Sequence, residues 1–178
     1  MKSKFDPKKH HRRSIRLKGY DYSSEGAYYV TIVTYQRDCL FGDIVKKKMI
    51  LSDFGKIADE CWRAIPEHFP FAELGVYVVM PNHVHGIIII RRGTIYRAPT
   101  MEQFQKPVAG SIPTIIRTYK AAVTRRIGRE HNATGIWQRN YYEHIIRDEK
   151  DLQNKTDYIE ANPSLWDEDD NNPRNIQM

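Results

Sequence analysis

Two histidines separated by one residue, His83 and His85, stand in the stretch MPNHVHGIIII at residues 80–90. The isoleucines that follow favour a strand, and a strand alternates its side chains between faces. Both imidazoles therefore point one way while Val84 points the other. Two imidazoles on one face are half of a metal site, and they also suit a purely structural pair whose rings bond to backbone or solvent. A histidine-triad nucleotide hydrolase needs a third alternating histidine, and that position is Ile87. The acid of an H-x-x-E-x-H zinc hydrolase is missing too.

A second pair lies far downstream in TDYIEANP, where Tyr158 and Asn162 are four apart and share one face of a helix. An amide oxygen is a fair ligand for a hard cation such as Mg²⁺ or Mn²⁺. A phenol can serve as a covalent nucleophile, although at its ordinary pKa near 10 it needs help at neutral pH. No residue stands out as a base, with His144 and Asp157 candidates by proximity in sequence alone. The structural alternative is that Tyr158 covers a sheet and Asn162 caps a helix ahead of Pro163.

The elements that must position these groups can be read from periodicity. AYYVTIVTYQ (27–36) is β-branched and aromatic and reads as a strand, and CLFGDIVKKKMILS as a short hairpin. Ser52 or Asp53 caps a helix in which Phe54, Ile57, Cys61 and Ile65 recur on one face, with Pro66 as its stop. ELGVYVVM (73–80), the Pro81-Asn82 turn and HVHGIIIIR (83–91) form an antiparallel hairpin. Residues 92–110 read as a loop. Ser111 opens a helix through Gly128, with Ile115, Thr118 or Tyr119, Ala122 and Ile127 inward and Arg117, Lys120, Arg125 and Arg126 outward. Residues 135–147 form a strand region, and Asp148 caps a last helix that Pro163 ends. The order β–α–β–β–α–β predicts an α+β, ferredoxin-like fold: an antiparallel sheet with helices packed on one face, plus an added C-terminal helix carrying the tyrosine.

At 178 residues the chain is expected to form a single domain over 1–178. Net charge is +6, and residues 1–19 form a basic arm with Lys8, Lys9, Arg12, Arg13, Arg16 and Lys18. That balance favours a polyanionic partner, nucleic acid or an acidic membrane surface, over a merely soluble basic surface only weakly. The far end reverses sign in DEDDNNPRN, so residues 164–178 are expected to be an acidic, mobile, solvated tail, with a tail from Asp167 to Asp170 folded over the functional site as the weaker alternative. The apolar run at Gly86–Ile90 is too short to span a bilayer, and no apolar core follows the basic N-terminus as in a secretory signal. Cys39 and Cys61 lack metal-type spacing, so a cytoplasmic protein with reduced thiols is the expectation.

Taken together, MPNHVHG and YYEHIIRDEKDLQNKTDYIEANP resemble the single-tyrosine HUH transposases, most closely the REP-associated tyrosine transposases. The resemblance runs from SIRLKGYDYSSEGAYYVTIVTYQR through LFGDIV to YIEANP. It implies that His83, His85 and Asn162 hold Mg²⁺ or Mn²⁺, Asn162 standing where many insertion-sequence relatives have glutamine. It implies Tyr158 as the nucleophile that cuts single-stranded DNA beside a hairpin, leaving a 5′-phosphotyrosine and a free 3′-hydroxyl. Tyr119, Tyr141 and Tyr142 remain the other candidates. The basic arm, with Arg91, Arg92, Arg125 and Arg126, would grip DNA backbone, and Tyr20, Tyr22, Trp137 and Tyr141 could stack on bases. The family implies a monomer or homodimer and no membrane partner. A protein that binds DNA hairpins without cutting them is the alternative function.

Overall fold

A computed structural model describes residues 20–91 and 108–175. The strands are β1 (Gly26–Val33), β2 (Gly42–Val45), β3 (Lys48–Leu51), β4 (Ala72–Met80), β5 (His83–Ile90) and β6 (Tyr142–Ile146). The helices are α1 (Asp53–Arg63), α2 (Ile65–His68), α3 (Ile112–His131) and α4 (Glu149–Ala161). An antiparallel sheet in the order β4-β5-β1-β6 forms the centre, and β2 and β3 make a separate two-stranded ribbon. With the ribbon set aside, this is the expected ferredoxin-like architecture.

Side-chain alternation gives the sheet two different faces. On one, Tyr28, Val30, Ile32, Val84, Ile88 and Ile90 pack against Ile57 and Trp62 of α1 and Ile115, Tyr119, Val123 and Ile127 of α3. Each such large apolar side chain contributes about 1.5–3 kcal/mol on burial. Gly86 belongs to this face for a steric reason: a Cβ there would stand 2.3 Å from the Trp62 ring. The glycine after the second histidine thus lets the indole lie against the strand that carries the site. On the opposite face Tyr29 and Ile87 meet Ile159 of α4. The added helix accordingly covers the face toward which the histidines point.

The caps follow from side-chain chemistry. Ser52 Oγ accepts from the Gly55 N–H at the start of α1 and donates to the Leu40 carbonyl, and Asp148 accepts from the Asp151 N–H at the start of α4. Three expected boundaries move. The first strand stops at Val33, because Gln36 and Arg37 turn the chain with φ of 54° and 61°. Pro66 stands in the first turn of α2, where its missing N–H costs nothing, rather than at the end of α1. Gly128 lies inside α3, which continues to His131 and closes on left-handed Asn132.

The acidic end differs from the expected solvated tail. Beyond α4, residues 162–168 and 173–175 form 3-10 turns, and Asp169 and Asn172 are buried. The Asn162 amide donates to Asp169 Oδ2 at 2.8 Å, and Asn172 donates to the Trp166 carbonyl. These hydrogen bonds, which no local periodicity announces, fold the segment back over the histidines.

Candidate metal centre and tyrosine cleft

His83 and His85 lie on β5 between β1 and β4, with Val33 and Met80 flanking the first and Thr31 and Val78 the second. Both are buried, with ring centroids 4.3 Å apart. The sequence-based expectation that the two rings share a face holds.

The proton on His83 can be placed from its neighbours. Asn82 donates through Nδ2 to the Arg37 and Asn171 carbonyls, which turns its oxygen toward His83 Nδ1 at 2.8 Å. An amide oxygen only accepts, so Nδ1 carries the hydrogen and Nε2 is a bare lone pair. His85 Nδ1 lies 2.8 Å from the Tyr29 hydroxyl and 2.9 Å from Thr31 Oγ1, both able to accept its hydrogen. Such outer partners orient an imidazole for a metal.

Burial holds both rings neutral. It lowers the His83 pKa to about 3, with the Asn162 side chain offsetting part of the effect and Arg37 adding to it. Burial, then the neighbouring His83, pushes His85 well below the usual histidine range. His83 Nε2 is 3.9 Å from Asp169 Oδ2; with an uncharged ring this is not an ion pair, but two electron-pair donors lying side by side. His83 Nε2, His85 Nε2 and Asn162 Oδ1 are buried without a hydrogen-bond partner. Leaving three such atoms unsatisfied is costly. One divalent cation would satisfy them together.

Asp169 adds a carboxylate to this place: ligand atoms of His83, His85 and Asp169 lie within 4.8 Å of one another. Sequence reasoning preferred to place that residue in solvent, with a tail folded over the site as the weaker alternative. Two imidazoles with an amide and a carboxylate oxygen suit a divalent cation of the Mg²⁺ or Mn²⁺ kind, the oxygens supplying the hard part of the set.

Tyr158 stands beside the ligands, its ring 5.3 Å from that of His85 and 6.4 Å from that of Tyr29. It is 43% exposed, at an open cleft of ≈ 490 Å³. Partial burial and then Asp169 raise its pKa, and the Asn162 side chain pulls it back. Lys155, one turn earlier on α4, lines the same cleft and places its Nζ 4.9 Å from the centre of the Tyr29 ring. Arg37 lines it as well and donates to the Asp170 carbonyl and Asn171 Oδ1.

The other tyrosines separate by position. Tyr119 is buried on the opposite face, where it donates to the Ala58 carbonyl and meets Trp62 edge-on. Tyr141 and Tyr142 line the cleft, but neither stands one helical turn from a ligand, as Tyr158 does from Asn162, the C-cap of α4. His144 bonds to Asp151 at 2.7 Å, tying β6 to α4.

Of the expected DNA-contacting residues, Lys8, Lys9, Arg12, Arg13, Arg16, Lys18 and Arg92 lie outside the described residues. Arg125 and Arg126 belong to α3, on the face away from the histidines, and Arg126 is engaged by Glu60 and Glu130. Arg91 pairs with Glu73. Tyr20, Tyr22 and Trp137 pack in or against the main core. Thr31, Asn82, Lys155, Arg37 and Asp169 escaped the sequence reading. The adjacency of Asn82 to the first histidine was the one available signal.

Among sequence relatives, an uncharacterised Haemophilus influenzae protein is 43% identical over 175 residues, covering 95% of this chain and 97% of that protein. A second H. influenzae protein, named "Putative REP-associated tyrosine transposase", is 27% identical over 143 residues, covering 80% of this chain and 73% of that one. A REP-associated tyrosine transposase solved bound to a REP hairpin shares the fold, with a TM-score of 0.57, 22% identity and coverage of 88% of this chain and 74% of that one. No protein-family model matches. No helix among the described residues is long and apolar enough to cross a membrane. In sequence the chain resembles a protein named as a REP-associated tyrosine transposase, and in fold it resembles a solved one.

Proposed function

We propose that this protein cuts and rejoins single-stranded DNA beside hairpins through a covalent bond to Tyr158. The observation that carries the reading is the common placement of a phenol and three unsatisfied buried ligand atoms, with Tyr158 on α4 and Asn162 one turn on at its C-cap.

His83, His85 and Asn162, with Asp169 beside them, would hold the divalent metal. When bound, it would polarise the scissile phosphodiester and offset charge gathering at phosphorus. Asn82 fixes the His83 ring, and Thr31 with Tyr29 fixes the His85 ring, so the ligands need little reorganisation. Tyr158 Oη attacks phosphorus and the P–O3′ bond breaks, leaving a 5′-phosphotyrosine and a 3′-hydroxyl. The phenol loses a proton to solvent and the departing oxygen gains one, so the step is balanced. A 3′-hydroxyl attacking the phosphotyrosine reverses it and releases Tyr158. The bond energy is retained in the enzyme–DNA ester, which lets strands be rejoined without ATP. Lys155 supplies positive charge in the cleft, where a bound phosphate would benefit from it.

The test is a labelled DNA hairpin with a single-stranded flank, incubated with Mn²⁺ or Mg²⁺ and run on a denaturing gel. A covalent adduct with the wild type, lost in Tyr158→Phe and His83→Ala, is the expected result. Hairpin binding without an adduct, across several flanking sequences and both metals, would leave the non-cleaving alternative in its place.

A further inference from the structure

The β2–β3 ribbon takes no part in the site described above, yet it is rooted next to it. The Phe41 N–H donates to the Pro81 carbonyl in the turn that leads into His83, and β3 packs against β4 and the 162–168 segment. Register assigns Ile44, Met49 and Leu51 to the inner side, where Met49 and Leu51 pack on the main core. Asp43, Val45, Lys48 and Ile50 form the outer side and are exposed, Val45 at 51% and Ile50 at 57%.

The tip is unusual in its residues. Lys46 and Lys47 occupy the two central positions between the paired Val45 and Lys48, with φ of 50° and 62°. A two-residue hairpin turn with both central φ values positive ordinarily takes Asn-Gly, because other side chains are disfavoured in the left-handed region. Two lysines stand there instead, followed by a third. No carboxylate pairs with any of the three among the described residues. A strained backbone carrying unpaired charge at the end of a projecting ribbon is a sign of use rather than of folding economy.

We infer that the outer face and tip of this ribbon dock on the double-helical stem of a DNA hairpin, while the neighbouring cleft takes the single strand. The inference rests on the proposed function. Its chemistry favours duplex over single strand: a major groove admits a two-stranded ribbon, aliphatic side chains suit thymine methyl groups, and lysines suit the flanking phosphates. Single-strand binding would call for exposed aromatic platforms, and the ribbon's exposed apolar residues are aliphatic. Anchorage at Pro81 sets the docked stem and the two histidines at one end of the sheet, so stem recognition would fix which phosphodiester reaches Tyr158.

The decisive variant is Lys46→Asn with Lys47→Gly, which removes two charges while giving the turn its preferred residues, so misfolding does not confuse the result. Binding is measured by fluorescence anisotropy over about 50–200 mM salt, against a tailed DNA hairpin and against an unstructured strand of equal length. For the hairpin, affinity should fall by at least about tenfold and the slope of log K against log salt by about 1.8, roughly 0.9 for each lost phosphate contact. Affinity for the unstructured strand should stay within about twofold. Unchanged hairpin affinity and slope would overturn the inference, as would an equal loss on both DNAs, which would make the ribbon a general polyanion contact. A wild type that binds neither DNA would instead sink the proposed function, and the inference with it.

Discussion

Acid should unfold the metal-free protein unusually early, and the two ligand histidines should be the reason. Burial lowers the His83 pKa from 6.5 to about 3 and carries His85 well below 6.5. A folded-state value below the unfolded one means that the unfolded chain takes up protons in acid that the folded chain refuses. Stability is therefore lost as pH falls through 6.5, and for His83 the loss continues down to about 3. Between about pH 7.5 and about pH 5.5, each ring that stays neutral in the fold costs about 1.4 kcal/mol, about 2.7 kcal/mol for the pair. For a chain of 178 residues that lowers Tm by about 5–11 °C. The assay is thermal unfolding in a chelating buffer at both pH values, for the wild type and for His83→Gln and His85→Gln. The five other histidines contribute equally to all three proteins, since the chain has seven in all. Each variant should lose about half of the pH-dependent drop. The same drop in all three proteins would refute the reasoning, because the rings would then be taking up protons inside the fold.

Three further outcomes follow from single contacts. Gly86→Ala drives a methyl group into the Trp62 ring from 2.3 Å, and should cost about 1–3 kcal/mol of stability in denaturant unfolding. Asp169→Asn removes a carboxylate from the ligand cluster and should raise the half-saturating Mn²⁺ concentration for adduct formation by about 10–100-fold, with hairpin affinity unchanged. Lys155→Gln removes a cation from the cleft and should slow adduct formation by about 100-fold in single-turnover assays. In that variant hairpin binding and the thermal shift on adding Mn²⁺ should persist.

The shared face of the two histidines and the one-turn spacing of Tyr158 and Asn162 were legible because each follows from a local period, two on a strand and four on a helix; the roles expected of them came from the family resemblance. Ser52 and Asp148 were legible as caps for the same reason, since a cap acts on amides within its own turn. Asp169 was not, because its burial depends on Asn162, and the course of its segment on Asn82 and Arg37, far away in the chain. Acidic residues in an aperiodic stretch read as solvated unless those distant partners are known. Arg126 misled in the opposite sense, being outward on its own helix and yet committed to Glu60 of α1. The turn at Pro66 shows a further limit: a proline marks a helix boundary without saying which side of it the helix lies on.

The central claim, that Tyr158 carries the DNA, is tested most directly by mass spectrometry of the trapped adduct. Trypsin separates the candidates, since Tyr158 is the one tyrosine in the peptide 156–174, while Tyr141 and Tyr142 share the peptide 140–147. The nucleotide mass should appear on Tyr158 in the first peptide and require the divalent metal. Its appearance on Tyr141 or Tyr142 would contradict the account.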